Sequence, residues 1–184
     1  MQIQHCTPGM DVPLLAGSSS PEEWEKSGRS LFQNKRYLQA LHCFKRAGLS
    51  REVAVSNAYY LREQARLIPA VESRKIQQTR IAAFLAAADA FLECATAAIN
   101  AREIRVYYRN AGDCFERVED HYQAARAYVE AHEFTTAAKL FRVCAKFDEA
   151  VDLVKRFRQE IDDDVAQYIF DVAKLFYFRG GELQ

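Results

Sequence analysis

The feature that most constrains this chain is a pattern of aromatic and small residues at steps of three and four. It is clearest where Tyr37, Ala40, Phe44 and Ala47 follow one another at intervals of three, four and three. Such intervals place all four residues on one face of an α-helix. The pattern therefore predicts a short amphipathic helix that buries this face.

Further copies of the pattern follow, and the last three begin 13 residues apart, at His121, Phe134 and Phe147. That interval fits a helix of about ten residues and a tight turn, and a helix of this length is marginal alone in water. Each helix must therefore pack on its neighbours. The residues expected to provide this packing are Trp24, Gly28, Tyr37, Ala40, Phe44, Ala47, Phe84, Ala87, Phe91, Gly112, Ala124, Tyr128, Ala137, Phe141, Phe147 and Ala150.

The chain as a whole is predicted to be all-α. A helical domain over 21–178 should follow a flexible or extended segment at 1–20 and precede a tail at 179–184. Its helices are predicted over 21–34, 36–47, 51–67, 71–98, 101–117, 119–131, 134–144, 147–159 and 163–178.

Several helix ends carry recognisable signals. Ser20 before Pro21 predicts an N-cap, Ser50 a second one, and Gly48 predicts the end of the second helix. The acidic run 162–164 is interpreted as the cap of the last helix. A calcium loop is the competing interpretation, but it needs alternating ligands and a glycine, which are missing.

Charge and hydropathy narrow the range of partners. Lys plus Arg and Asp plus Glu number 25 each, so the formal net charge is zero. A nucleic-acid-binding domain normally has a basic excess, which makes nucleic acid an unlikely partner. Local basic clusters such as Arg102, Arg105 and Arg109 are candidate contacts for nucleic acid or another partner. No apolar run is long enough to span a membrane.

No catalytic, cofactor-binding or metal-binding residues are predicted. The five cysteines form no CxxC pair and follow no signal peptide, so we expect buried thiols and an intracellular location, cytoplasm or nucleus. The four histidines lack metal-site spacing, and no glycine-rich phosphate loop is present. We therefore expect a segment that is not an enzyme.

Two stretches resemble the tetratricopeptide repeat. The first is Trp24-x2-Ser27-Gly28-x2-Leu31, continued by the pattern from Tyr37 to Ala47, and the second runs over 108–131. Ser27 replaces the usual Leu, Leu31 the usual Tyr, and the terminal Pro is missing. The resemblance implies antiparallel helical hairpins stacked as an α-solenoid, with the glycines at close helix crossings. It also implies an interaction scaffold for a protein or peptide whose identity the sequence leaves open.

The stretches 24–47, 57–66 and 84–157 together resemble the helical-repeat region of large fungal proteins that also contain a UvrD-like superfamily 1 helicase module. Those proteins are similar to the animal tetratricopeptide and ankyrin repeat-containing protein. The resemblance implies ATP hydrolysis in a helicase module outside this chain, because no Walker lysine occurs here. It leaves open, as an alternative function, contact with single-stranded nucleic acid through the arginine-rich helix faces.

The aromatic run at 176–178 allows two interpretations. It can fold back to cover the last helix, or it can continue into further helices of a longer protein. We expect the second, because the end of a solenoid usually carries a polar cap.

Overall fold

The computed structural model of the chain describes residues 19–181, with side chains as far as Phe178. This part of the chain contains nine α-helices, one 3-10 turn and no strand, which confirms the predicted all-α class. The elements are α1 (Pro21–Gln33), α2 (Tyr37–Ala47), α3 (Ser50–Leu67), α4 (Arg74–Thr96), α5 (Ala101–Glu116), α6 (His121–Glu130), α7 (Phe134–Val143), α8 (Phe147–Arg156), the 3-10 turn (Arg158–Glu160) and α9 (Asp163–Gly181). Residues 1–18 of the predicted N-terminal segment and 182–184 of the predicted tail lie outside the described residues.

All nine predicted helices are present, but several of their ends need correction. The fourth helix begins at Arg74 instead of 71, the sixth at His121 instead of 119, and the last continues to Gly181 instead of 178. Ser50 is the first residue of α3, not a cap that precedes it. The eighth helix ends at Arg156 instead of 159, because Phe157 leaves the helical conformation, at φ −122° and ψ 35°. Its ring stacks on Phe134 of α7 at a centroid distance of 3.9 Å. Packing between helices therefore outweighs continuation of α8.

The predicted signals at Ser20 and Gly48 are confirmed. The Ser20 hydroxyl accepts a hydrogen bond from the Glu23 N–H, and the Glu23 carboxylate accepts one from the Ser20 N–H, which together form a capping box. Gly48 ends α2 in the left-handed conformation, at φ 73°, where a side chain would be unfavourable.

Four connections between helices share one turn geometry. In each, the second residue before the new helix is a non-glycine in the left-handed region, with φ between 55° and 62°. The next residue donates its N–H to the carbonyl five residues earlier, as in a Schellman motif. These bonds run from Arg36 to Leu31, Asp120 to Phe115, Glu133 to Tyr128 and Lys146 to Phe141, at 2.8–3.0 Å. The connection from α2 to α3 has the same bond, from Leu49 to Phe44 at 3.0 Å, with Gly48 as its left-handed residue. The device is thus built four times without a glycine and once with one.

The chain divides into two compact units at Asn57 and Ala58, within α3. In the first unit α1 packs on α2. Its core contains Leu31, Ala40, Cys43 and Phe44, with Trp24 partly buried against it. Hence the alanine and aromatic face predicted for α2 lies in the core.

In the second unit each helix from α4 to α9 packs on the next one along the chain, and α9 also contacts α7. The core consists mainly of alanines and aromatic residues. Phe84 and Phe91 of α4 are the largest of its fully buried side chains. The contacts are therefore mostly local in sequence.

Candidate interaction surfaces

The residues predicted to pack the helices are almost all buried. Thirteen of the sixteen are buried, and Trp24, Ala47 and Phe147 are half-buried. Phe147 contacts Phe176 of α9, with ring centroids 4.7 Å apart. Most of these side chains are therefore not accessible to a partner.

Gly28 and Gly112 lie where two helices cross closely. A Cβ atom at Gly28 would be 2.7 Å from Cε1 of Phe44, and one at Gly112 would be 3.0 Å from the ring of Tyr128. Carbon atoms are in favourable contact at about 3.5–4.0 Å. Each glycine thus lets an aromatic ring of the following helix lie directly on its backbone.

Tyr128 also has a polar role that the packing pattern did not predict. Its hydroxyl lies 2.7 Å from Oδ1 of Asp113 and 2.5 Å from Oε2 of Glu116, both on α5. Burial, and then the hydrogen bonds to these two carboxylates, raise the pKa of Tyr128. The phenol is therefore a neutral donor that links α6 to α5. The i, i+3 spacing of the two acids was the available sequence signal.

Beside this link, a cleft of about 410 Å³ opens between α3, α4 and α5. Its lining carries charges of both signs and consists of Arg62, Arg66, Phe84, Asp113, Cys114, Glu116 and Arg117. Burial raises the pKa of the Cys114 thiol to about 12, so this thiol is protonated at neutral pH and unsuited to act as a nucleophile.

Arg62 is held in this cleft by aromatic and amide groups. Its side chain is 11% exposed, and its guanidinium lies over the ring of Tyr59 at 4.8 Å and that of Phe91 at 5.5 Å. It also donates a hydrogen bond to Oδ1 of Asn110, whose Nδ2 donates to the Val106 carbonyl at 2.9 Å. The arginine is thus engaged with α3, α4 and α5 and serves the packing of these helices.

A second groove, of about 380 Å³, is more apolar and is formed by side chains of α4, α5, α6 and α7. Its lining consists of Leu92, Tyr108, Phe115, Gln123, Arg126, Ala127, Val129, Glu130 and Phe141. Phe115, Ala127 and Phe141 are buried, whereas Gln123, Arg126 and Glu130 are exposed. We call this the α4–α7 groove. An apolar base with charged groups around it suits an apolar side chain of a peptide or helix.

The three arginines considered for nucleic-acid contact are all exposed on α5. Arg109 forms an ion pair with Glu133, which lies directly before α7. This pair offsets one of the three positive charges, so the cluster is less basic than its sequence suggests.

The cysteines are mostly buried, and the acidic run 162–164 lies at the start of α9. Cys43, Cys94 and Cys114 are buried, as predicted, and Cys144 is half-buried. Asp163 lies in the first turn of α9 and pairs with Arg158 at 2.6 Å. Within residues 19–181, no three His, Cys, Asp or Glu side chains are grouped as a metal ion would require.

No known protein family, curated protein or solved structure matches the chain. Among the described helices, none is long and apolar enough to cross a membrane.

Proposed function

We propose that this chain is a non-catalytic interaction scaffold whose helices stack as tetratricopeptide-like hairpins and which binds a protein or peptide partner in the α4–α7 groove. The observation that carries the proposal is the recurrence of one turn geometry at four helix connections. Regular connections generate regular stacking, and stacked helical hairpins present extended binding surfaces.

The α4–α7 groove is the best-suited surface because four helices contribute to it. Its apolar base can receive a leucine- or phenylalanine-sized side chain, while Arg126 and Glu130 can orient a polar segment beside it. The partner expected from this chemistry is an amphipathic helix or an extended peptide with apolar anchors.

The proposal can be tested by selecting binding peptides from a random peptide library with the full chain as bait. The affinity of selected peptides is then measured by isothermal titration calorimetry. Leu92→Glu places a charge in the groove and should weaken binding at least about tenfold. Leu67→Glu, at a residue that is 75% exposed and outside the groove, is the matched control. The assignment to this groove would be contradicted if both variants lost affinity equally, or if neither lost affinity.

The alternative function, contact with single-stranded nucleic acid through Arg102, Arg105 and Arg109, stays a prediction. It can be checked by fluorescence anisotropy with single-stranded DNA and RNA at low salt. An affinity weaker than about 10⁻⁴ M, the weak limit of ordinary non-specific binding, would exclude it. If binding occurs, Arg102→Ala and Arg105→Ala should reduce it.

The association with a UvrD-like helicase module also stays a prediction. It concerns residues outside this chain, and we propose only that the scaffold would serve such a module by recruiting its partner. Copurification of the scaffold with a separately expressed helicase module would support the association.

A further inference from the structure

The outer face of α9 carries a row of exposed apolar side chains that the described residues 19–178 leave largely uncovered. Tyr168 is 52% exposed, Leu175 61% and Phe178 69%. The neighbouring aromatic residues differ, because the ring of Phe176 contacts that of Phe147 and Tyr177 donates a hydrogen bond to Asp148 of α8. Part of the aromatic run thus folds back on α8, whereas the face defined by Tyr168, Asp171, Leu175 and Phe178 is exposed, apart from the guanidinium of Arg142, which lies over the ring of Tyr168 at 5.0 Å. We call this face the α9 seam.

The spacing of the α9 seam is that of a coiled coil. Its four residues follow one another at intervals of three, four and three, which matches alternating a and d positions of a heptad. Such a narrow stripe suits one helix as its partner. By contrast, the opposite face of α9, with Val165, Ile169 and Ala173, is buried.

The charges along the α9 seam indicate which helix would fit. Asp171 lies within the seam, and Lys174 beside it is 3.7 Å from the Asp171 carboxylate. Two copies of α9 in parallel and in register would bring Asp171 against Asp171, which is unfavourable. In an antiparallel pair centred near residue 173, Tyr168 faces Phe178 of the second copy and Asp171 faces Leu175, with Lys174 of the second copy beside the Asp171 carboxylate. The antiparallel direction therefore separates the two Asp171 carboxylates and places a positive charge next to each.

We propose that the protein forms a twofold-symmetric dimer in which the α9 seams of two copies pack antiparallel. Such an interface is isologous, since each contact occurs twice around the axis. One helix per copy buries little area, so the dimer is expected to dissociate on dilution. This inference does not depend on the α4–α7 groove, and its failure would leave the proposed function standing.

Sedimentation velocity over a wide range of concentrations tests the dimer directly. The unmodified chain should show a concentration-dependent monomer–dimer equilibrium, and Leu175→Glu and Phe178→Glu should each weaken it at least about tenfold. Ile99→Glu is the control, because Ile99 is 79% exposed and outside α9. Circular dichroism verifies that every variant keeps its helical content. A monomer at all concentrations, or a dimer insensitive to Leu175→Glu, would overturn the proposal.

A charge exchange tests the antiparallel direction. Asp171→Lys alone and Lys174→Asp alone should each weaken the dimer, since each opposes like charges across the axis. The double variant Asp171→Lys with Lys174→Asp should restore the affinity of the unmodified chain. A dimer that stays weak in the double variant, despite normal helical content, would contradict the antiparallel arrangement.

Discussion

At the scale of single residues, helix pairing depends on glycines that admit an aromatic ring. A methyl group at Gly28 would contact three ring atoms of Phe44 at 2.7–3.1 Å, and overpacking of this kind costs about 1–3 kcal/mol. The alanine also gains about 1 kcal/mol of helix propensity. We therefore expect Gly28→Ala to lower the free energy of unfolding by up to about 2 kcal/mol, measured by urea denaturation. Ser30→Ala, an exposed position of α1, should change it little.

The cost of Gly28→Ala should depend on the side chain at residue 44. Phe44→Leu removes most of the ring that a methyl group at Gly28 would meet. In that background Gly28→Ala should become neutral or stabilising, because only its helix propensity remains. A penalty that is the same in both backgrounds would show that the two residues are not coupled.

A buried thiol predicts how stability depends on pH. Burial raises the pKa of Cys114 from 9.0 to about 12 in the folded protein. Since the folded pKa is the higher one, the contribution of this group is fully present below pH 9.0. It is lost as the pH rises through the range up to about 12. The urea midpoint should therefore fall between pH 8 and pH 11, and fall less in Cys114→Ala. An equal fall in both proteins would contradict this role of Cys114.

At the scale of helices and turns, the four similar connections are built without glycine at their left-handed residue. Ala145, between α7 and α8, has φ 55° and is exposed. A non-glycine residue in this region costs about 1–2 kcal/mol, and a glycine would remove this cost. Glycine also gives the unfolded chain more conformational entropy, which lowers stability by about 0.4–1 kcal/mol. Ala145→Gly should therefore raise the free energy of unfolding by about 0.5–1 kcal/mol.

The matched control is Ala86→Gly, at an exposed residue in the middle of α4. There the same substitution should destabilise the protein by about 1 kcal/mol. Thermal unfolding of both variants would reveal the opposite signs. If both variants were less stable than the unmodified chain, the left-handed conformation of Ala145 would not be a source of strain.

The helices could be predicted from the sequence because their faces are periodic. The last three copies of the pattern begin at His121, Phe134 and Phe147, and these are the first residues of α6, α7 and α8. The turns gave weaker signals, since Glu119 and Ala145 are not typical left-handed residues. These conformations follow from the packing of the flanking helices and their carbonyl bonds.

The polar contacts between helices could not be predicted in the same way. Arg62 and Asn110 are 48 residues apart, and nothing in their local sequences pairs them. Their meeting depends on how α3, α4 and α5 pack together. The α4–α7 groove was likewise not foreseen, because it combines side chains of four helices.

At the scale of the whole molecule, the second unit is held together by contacts between consecutive helices. In a solenoid, the architecture that we propose for these helices, stability is close to a sum over neighbouring interfaces. Local disruption should therefore have local effects, unlike in a domain with a single central core. This property distinguishes the two kinds of architecture by experiment.

Val154→Ala provides that test, because Val154 of α8 is fully buried. Deleting its methyl groups should cost about 1–3 kcal/mol. Hydrogen–deuterium exchange measured by mass spectrometry should show the largest loss of protection in α7, α8 and α9, which contact one another. Protection in α4 and α5 should change least. Equal loss from α4 to α9 would indicate that the second unit unfolds as a single cooperative block.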